Sequence, residues 1–532
     1  MRTLLSATLF TALCASTLGA QTTSADPRDV HPRDREIHDA DTLAWWHTTE
    51  ALAGDAMEGR DTGSAAYLRA AAYVEGRFKA AGLKPAGEGG TYFQTVPMHQ
   101  VDVDAKTARI VVQEGEKSDH TFKLRFLQDI TVAVNENLPR DTTADLVFRG
   151  YCGKERMHDV ASKFVVCFGT QRAGLPSGGE RAGNVRSAGG VGIINVDDPY
   201  FSIEPPRWPA AYARSVSLVT GTAKRLAGKP FLSLRISAEA FTHLLQYTGH
   251  DATTILKSGG TRQPLESFDF PGNFSLAVHL ETSEKEISSP NILAVLPGSD
   301  AKLKDEYAVV SAHLDGYGYG TPVKGDSLYN GALDDAAYVA LIIQLADDIK
   351  AGRLPAPKRS ILFCAFTGEE KGLLGSHWFV EHPTVPVAKM VADLNLDQLR
   401  PLFPLKIMTA EGLAETTLGQ TAKEIAASMQ IELRPDMEPE RGLLRRADEF
   451  PFLGIHVPGI GFVFGYDPGT EAERRYREWY EVRYHRPQDD LTQPMDFDAA
   501  LKFDTFYYRL VEAVANAPER PSFLPGSQFG AK

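Results

Sequence analysis

The stretch Glu306–Gly316, EYAVVSAHLDG, runs an apolar segment straight into a histidine and an aspartate. Tyr307 to Ala312 shows almost no polar alternation, which is the pattern of a strand covered on both faces in a largely parallel sheet. The pattern repeats outward from this segment. NILAVLPG at 291–298, RSILFCAFTGEE at 359–370, AKMVADLNLDQ at 388–398 and GIGFVFG at 459–465 are further short apolar runs. DDAAYVALIIQLADDIK at 334–350 and KGLLGSHWFVEH at 371–382 lie between them and read as helices, and FDAALKFDTFYYRLVEAVANA at 497–517 closes the series. Alternating strands and helices predict an α/β fold with a mixed, mostly parallel sheet sandwiched by helices.

Upstream, SAAYLRAAAYVEGRFKAAGL at 64–83 places Tyr67, Ala71, Val74, Phe78 and Leu83 near one helical face, and strand-like alternation follows from Tyr92 to Ala133. Residues 135–260 read as a compact unit with strands of its own: ADLVFRG, KFVVCFG, GVGIINV and FLSLRIS. This unit interrupts a larger domain, giving a first part at 37–134, an insertion at 135–260 and a second part at 261–517. Residues 1–20 have the grammar of a secretory signal: Arg2, an apolar stretch from Leu4 to Leu18, and small residues before Gln21. An exported, periplasmic or extracellular protein is the expectation. No segment reaches the ~20 apolar residues that span a bilayer.

Acidic side chains outnumber basic ones by 69 to 56 in 532 residues, and no dense Lys/Arg run is present, which argues against a nucleic-acid partner. Beyond the signal only Cys152, Cys167 and Cys364 remain, too few for a disulfide framework. Cys152 and Cys167 can pair in an oxidising compartment if their strands are neighbours. The sequence carries no information on oligomeric state.

In open α/β sheets ligands gather at the carboxyl ends of strands. His313 and Asp315 follow AVVSA, Glu369 and Glu370 follow ILFCAFTG, Asp397 follows MVADLNL, Asp334 precedes a helix, and Tyr484-His485 sits in a loop after GIGFVFG. Singly, the histidine reads as a hydrogen-bonded surface residue and Asp334 and Glu369-Glu370 as helix caps, whereas Asp397, ending an apolar strand, must be desolvated or paired. Together two histidines, two aspartates and a glutamate form a nitrogen and hard-oxygen set suited to Zn²⁺ and allowing Mn²⁺ or Co²⁺. Five ligands serve two ions if one carboxylate bridges.

The ordered motifs AHLDG, NGALDDAA, TGEEKGLLGS, LNLDQ and YHRPQDD, with EGRDTGS and TYFQTVPM near the start, resemble the M28 family of co-catalytic zinc peptidases. The insertion resembles a protease-associated domain. The resemblance implies two Zn²⁺ per chain, one held by Asp334, Glu370 and His485, the other by the bridging Asp334 with His313 and Asp397. It implies Glu369 as general base and Asp315 behind His313 as the partner that fixes its tautomer. Tyr484 is assigned to the substrate site as an oxyanion donor, or else as an aromatic packed against the metal loop. The chain departs from the family pattern at Ala337-Tyr338 and at Ala447-Asp448-Glu449. Peptides are the implied substrates and aminopeptidase action the first expectation. Arg441, Arg445 and Arg446 leave room for a carboxypeptidase or dipeptidase. A metal-free binding module is the remaining alternative, disfavoured because all five ligand positions and Glu369 are present.

Overall fold

A strand that is apolar on both faces must be covered on both, and the computed structural model, which describes residues 31–114, 121–219, 230–246, 248–271, 274–397 and 400–530, shows how. The strand Tyr307–His313 pairs in parallel with Ser360–Phe366 on one side and with Met390–Asn395 on the other, and Gly459–Phe464 adds a fourth parallel strand. Antiparallel pairing appears on both sides of this core, although at one edge Ile407–Glu411 and Glu432–Pro435 pair in parallel again. Thr282–Leu296, Phe93–Val103 and Arg214–Leu218 follow Ser360–Phe366, while Ile407–Glu411 and Glu432–Pro435 follow Gly459–Phe464. The expected signal segment at 1–20 lies outside the described residues.

Side chains alternate across the sheet, so each strand feeds two cores. Val309, Leu362, Cys364 and Phe366 meet Phe379 and Phe452 on one face. Ala308, Val310, Ala312 and Phe363 point to the other, where Val74, Phe78, Ile342 and Phe503 come from the helices Ala65–Ala80, Ala337–Lys350 and Phe497–Asn516. The α/β sandwich read from the sequence is therefore present, with its parallel strands at the centre and its antiparallel strands outside. The helix read at 64–83 is Ala65–Ala80, and a further helix, Ala40–Ala53, precedes it. Between them lies a tight turn in which Glu58, Gly59 and Arg60 take positive φ.

A second sheet contains Asp141–Arg149, Phe164–Gly169, Gly192–Asp197 and Leu232–Ile236 in parallel order. It extends past the boundaries at 135 and 260. Arg109–Glu114, Thr121–Leu124 and Ile130–Val132 join it from one side, and Ser267–Asp269 and Phe274–His279 from the other. Conversely, Arg214–Leu218 leaves this unit to pair with Phe93–Val103 in the main sheet. Alternation identifies a strand, but its sheet is chosen by a partner far away in sequence, here Phe274–His279 for Arg109–Glu114.

Cys152 and Cys167 form a disulfide in the second unit, and Cys364 is a buried free thiol in the main core. Replacing Cys152 and Cys167 together by serine should cost about 2–5 kcal/mol, the usual penalty for losing a native bridge. Chemical denaturation under oxidising conditions should show a lowered midpoint for the variant. Reductant should lower the wild type to the same value.

Candidate active site

Tyr307–His313 is the point where strand order reverses, since the next two strands of this sheet, Ser360–Phe366 and Met390–Asn395, flank it on opposite sides. Such a reversal opens a crevice at the carboxyl ends of the strands. His313 ends the central strand, Glu369 and Glu370 follow Ser360–Phe366 in a short turn, and Asp397 lies just past Met390–Asn395. Asp334 sits in the turn Ala332–Ala336 that enters the helix Ala337–Lys350, and His485 follows the helix Glu471–Val482.

Two triads result, each with ligand atoms within 4.8 Å of one another: His313, Asp334 and Asp397, and Asp334, Glu370 and His485. Asp334 belongs to both. Its Oδ1 lies 3.3 Å from His313 Nε2 and its Oδ2 lies 3.3 Å from His485 Nε2, which is 3.4 Å from Glu370 Oε2. His313 Nε2 and Asp334 Oδ2 are buried without a hydrogen-bond partner. Buried polar atoms are normally satisfied, and a donor set of two imidazoles and three carboxylates facing one another fits divalent cations of the zinc class. Glu369 is in neither triad, with Oε2 3.8 Å from His313 Nε2.

The titration of these groups reflects burial and their mutual crowding. Burial pushes the Glu369 and Glu370 carboxyls well above the ordinary carboxylate range. Burial lowers His485 to about 4, leaving a neutral imidazole whose lone pair can coordinate. Burial also works against a charged His313, but the carboxylates of Glu369, Asp335, Asp334 and Asp397 outweigh it and raise its pKa well above the usual value.

Residues 291–508 match the model of peptidase family M28. This segment is an M28 peptidase domain. Among similar proteins, one named "Probable zinc metalloprotease" from Pyrenophora tritici-repentis (strain Pt-1C-BFP) is 26% identical over 267 residues, covering 44% of this chain and 59% of that protein. A "Probable glutamate carboxypeptidase" from Arabidopsis thaliana is 30% identical over 238 residues, covering 41% of this chain and 32% of its own. The chain spans about half the length of the curated relatives it matches. A solved aminopeptidase from Aneurinibacillus sp. strain AM-1 shares the fold with a TM-score of 0.58 at 17% identity, covering 90% of this chain and 95% of that one. At that coverage the shared fold takes in most of the second unit.

Several residues that position the M28 site lie inside the quoted motifs without standing out there as ligands. Asp489, buried at 1% exposure, accepts hydrogen bonds from the backbone N–H groups of Leu333 and Asp334 at 3.0 and 3.1 Å, and from Gln493. It therefore sets the bridging turn. Gly331, at φ +62, completes that turn, where an added Cβ would lie 2.4 Å from the Asp334 carbonyl oxygen. Arg60, fully buried, donates to the carbonyls of Leu52, Leu314, Asn330 and Gly331, tying the EGRDTGS turn to both ligand loops. The adjacent aspartates divide their tasks: Asp334 faces the centre, while Asp335 accepts from the His313 backbone N–H at 3.1 Å.

Asp315 lies behind His313, but through a different atom than its carboxylate. His313 Nδ1 is 3.1 Å from the Asp315 backbone oxygen and 3.8 Å from its carboxylate. The carboxylate is engaged by the Thr62 hydroxyl at 2.8 Å and by the Glu369 N–H at 3.0 Å, so the side chain of Asp315 positions Glu369. The outer nitrogen of His485 meets the Tyr317 hydroxyl at 2.9 Å. The Tyr484 ring lies tilted against the His485 ring with centroids 3.8 Å apart, and its hydroxyl accepts from Arg446. Arg441 and Arg446 are both paired with Glu204 of the second unit, and Arg445 lies over Phe450. A cavity of about 580 Å³ lies between the two units, with Arg207, Tyr212 and Arg235 on one wall and Tyr317, His485 and Arg486 on the other.

Asp489→Ala should leave two buried backbone N–H groups unpaired, at about 1–3 kcal/mol each. Thermal unfolding should show the loss of stability, and zinc retention after gel filtration should fall because the Asp334 turn is no longer held.

Proposed function

We propose that this chain is an exported dinuclear zinc aminopeptidase that removes N-terminal residues from peptides. The observation that carries the reading is the sharing of Asp334 between two ligand triads whose other members are His313 with Asp397 and Glu370 with His485. The zinc named for the Pyrenophora relative suits this nitrogen and oxygen donor set. When bound there, zinc supplies an acidified water and a polarised scissile carbonyl.

The protein's own groups account for the remaining steps. Glu369 stands outside both triads, has a raised pKa, and is held by its backbone N–H on the Asp315 carboxylate. It takes a proton from the attacking water and delivers it to the leaving amine, which needs a carboxyl able to exist in both forms near neutral pH. His313 is kept in one tautomer by the Asp315 carbonyl, and the His485 ring is oriented by its bond to the Tyr317 hydroxyl. The second unit closes over one side of the centre, with the cavity beside His485 as the space for a short peptide. Its resemblance to a protease-associated domain is part of the same reading. Export is supported by the pattern of residues 1–20 and by the Cys152–Cys167 bridge, which suits an oxidising compartment.

Aminopeptidase action is preferred to carboxypeptidase action because two of the three arginines that could grip a C-terminal carboxylate, Arg441 and Arg446, are already engaged in ion pairs, Arg441 with Glu204 and Glu438 and Arg446 with Glu204. Hydrolysis of a free-amine aminoacyl anilide should therefore exceed that of an N-blocked substrate with a free carboxylate. The reverse preference would assign the chain to the carboxypeptidase class.

Glu369→Gln should retain metal and fold yet lose kcat by ~10²–10⁴-fold, the contribution of a general base. Asp334→Ala should lose both ions, read by elemental analysis. Near wild-type turnover in Glu369→Gln with metals in place would remove that residue from the proton path.

A further inference from the structure

Outside the two catalytic triads, the turn at Asp34–Glu36 precedes the helix Ala40–Ala53. Two pairs with the same three-residue spacing face each other there, His31 with Asp34 and His47 with Glu50. They are joined crosswise. His31 Nδ1 bonds to Glu50 Oε2, and His47 Nε2 lies 2.8 Å from Asp34 Oδ1. The two imidazoles stack with centroids 4.0 Å apart, and Trp46 Nε1 donates to the other Glu50 oxygen at 3.0 Å. One ligand atom from each of His31, Asp34 and His47 lies within 4.8 Å of the others. The side chains of His31, His47 and Asp34 are 35%, 34% and 22% exposed, so solvent reaches them.

We propose that His31, Asp34 and His47 form a further binding site for a divalent transition metal of the zinc class, separate from the catalytic centre. Two imidazoles and a carboxylate are a zinc donor set, and solvent can complete the tetrahedron. With neutral imidazoles the group carries the two negative charges of Asp34 and Glu50, which a divalent ion balances. Ligand atoms around an ion with bonds of about 2.0 Å sit about 3.3 Å apart. Closing from the observed separation needs only rotation of half-exposed side chains. Glu50, bonded to His31 Nδ1, supplies the outer carboxylate that fixes the tautomer of a metal-bound imidazole. The bound ion fastens the chain at residues 31–36 to the helix Ala40–Ala53. That helix reaches the catalytic half through Trp45, whose indole donates to the Ala337 carbonyl at 2.7 Å.

The test is a difference between proteins that share every catalytic-centre ligand, so it stands whether or not the dinuclear reading does. Full-length wild type and His31→Ala/His47→Ala are stripped with chelator and titrated with Zn²⁺ by calorimetry. The wild type should take up one more equivalent per chain, with equal peptidase activity for both at saturating zinc. Asp34→Asn, which preserves shape, should weaken that extra equivalent at least about tenfold, as expected when a charged partner is lost. In the wild type, zinc should also slow proteolytic cleavage around residues 31–36, and in Asp34→Asn it should not. Equal stoichiometry in the wild type and the double variant would overturn the proposal. So would an Asp34→Asn protein that binds zinc as the wild type does, which decides the matter even if the double variant fails to fold.

Discussion

Carboxylates buried side by side repel one another, and the M28 half of this protein is arranged around holding many of them in one place. Asp315, Asp334, Asp335, Asp397, Asp448 and Asp489 are all at most 5% exposed, and Glu369 and Glu370 lie among them. Such a group is tolerated only where fixed dipoles or cations oppose it. The backbone N–H groups of His313, Leu333, Asp334 and Glu369 each point at a carboxylate. Arg60 and Arg400 stand buried close behind, with Arg400 Nη2 3.8 Å from Asp334 Oδ2 and its guanidinium 4.2 Å from the Trp479 ring centroid. What the protein does not neutralise is left facing inward between His313 and His485.

This constraint explains why acidic residues adjacent in sequence act differently. In Asp334-Asp335 and Glu369-Glu370 the first and second side chains leave the backbone in different directions, so one can face the centre while its neighbour braces a strand or stays clear of the ligand sets. Asp315 shows the same economy within one residue: its carbonyl orients His313 and its carboxylate orients Glu369. A charged group that would be costly alone becomes useful where each oxygen has a defined donor.

The contact between the two units has its own electrostatic logic. Glu204 from the second unit is shared by Arg207, Arg441 and Arg446, and its pKa is driven far below the ordinary carboxylate range despite burial. Lys371, directly after the two glutamates, reaches the Tyr212 hydroxyl of the second unit. Arg486, directly after His485, donates to the carbonyls of Trp208 and Pro209. The second unit is thus fastened to the loops that carry the ligands, and its placement and that of the centre are mechanically linked.

The sequence by itself determined the α/β class, since unbroken apolar runs such as Tyr307–Ala312 report burial on both faces. It also located the ligand candidates, because a histidine or carboxylate at the end of such a run is carried to the sheet's carboxyl edge wherever the strand lies. Both signals are local. Only the tertiary structure decided which sheet Arg109–Glu114 and Arg214–Leu218 belong to, because strand pairing is chosen by partners more than a hundred residues away. It likewise decided that Asp489 holds the Asp334 turn, that Arg60 ties the first helices to the ligand loops, and that Arg441 and Arg446 are paired with Glu204. A charged residue in a loop reads the same in sequence whether it meets water or a buried partner. The difference is made by desolvation and distance, which exist only once the chain has folded.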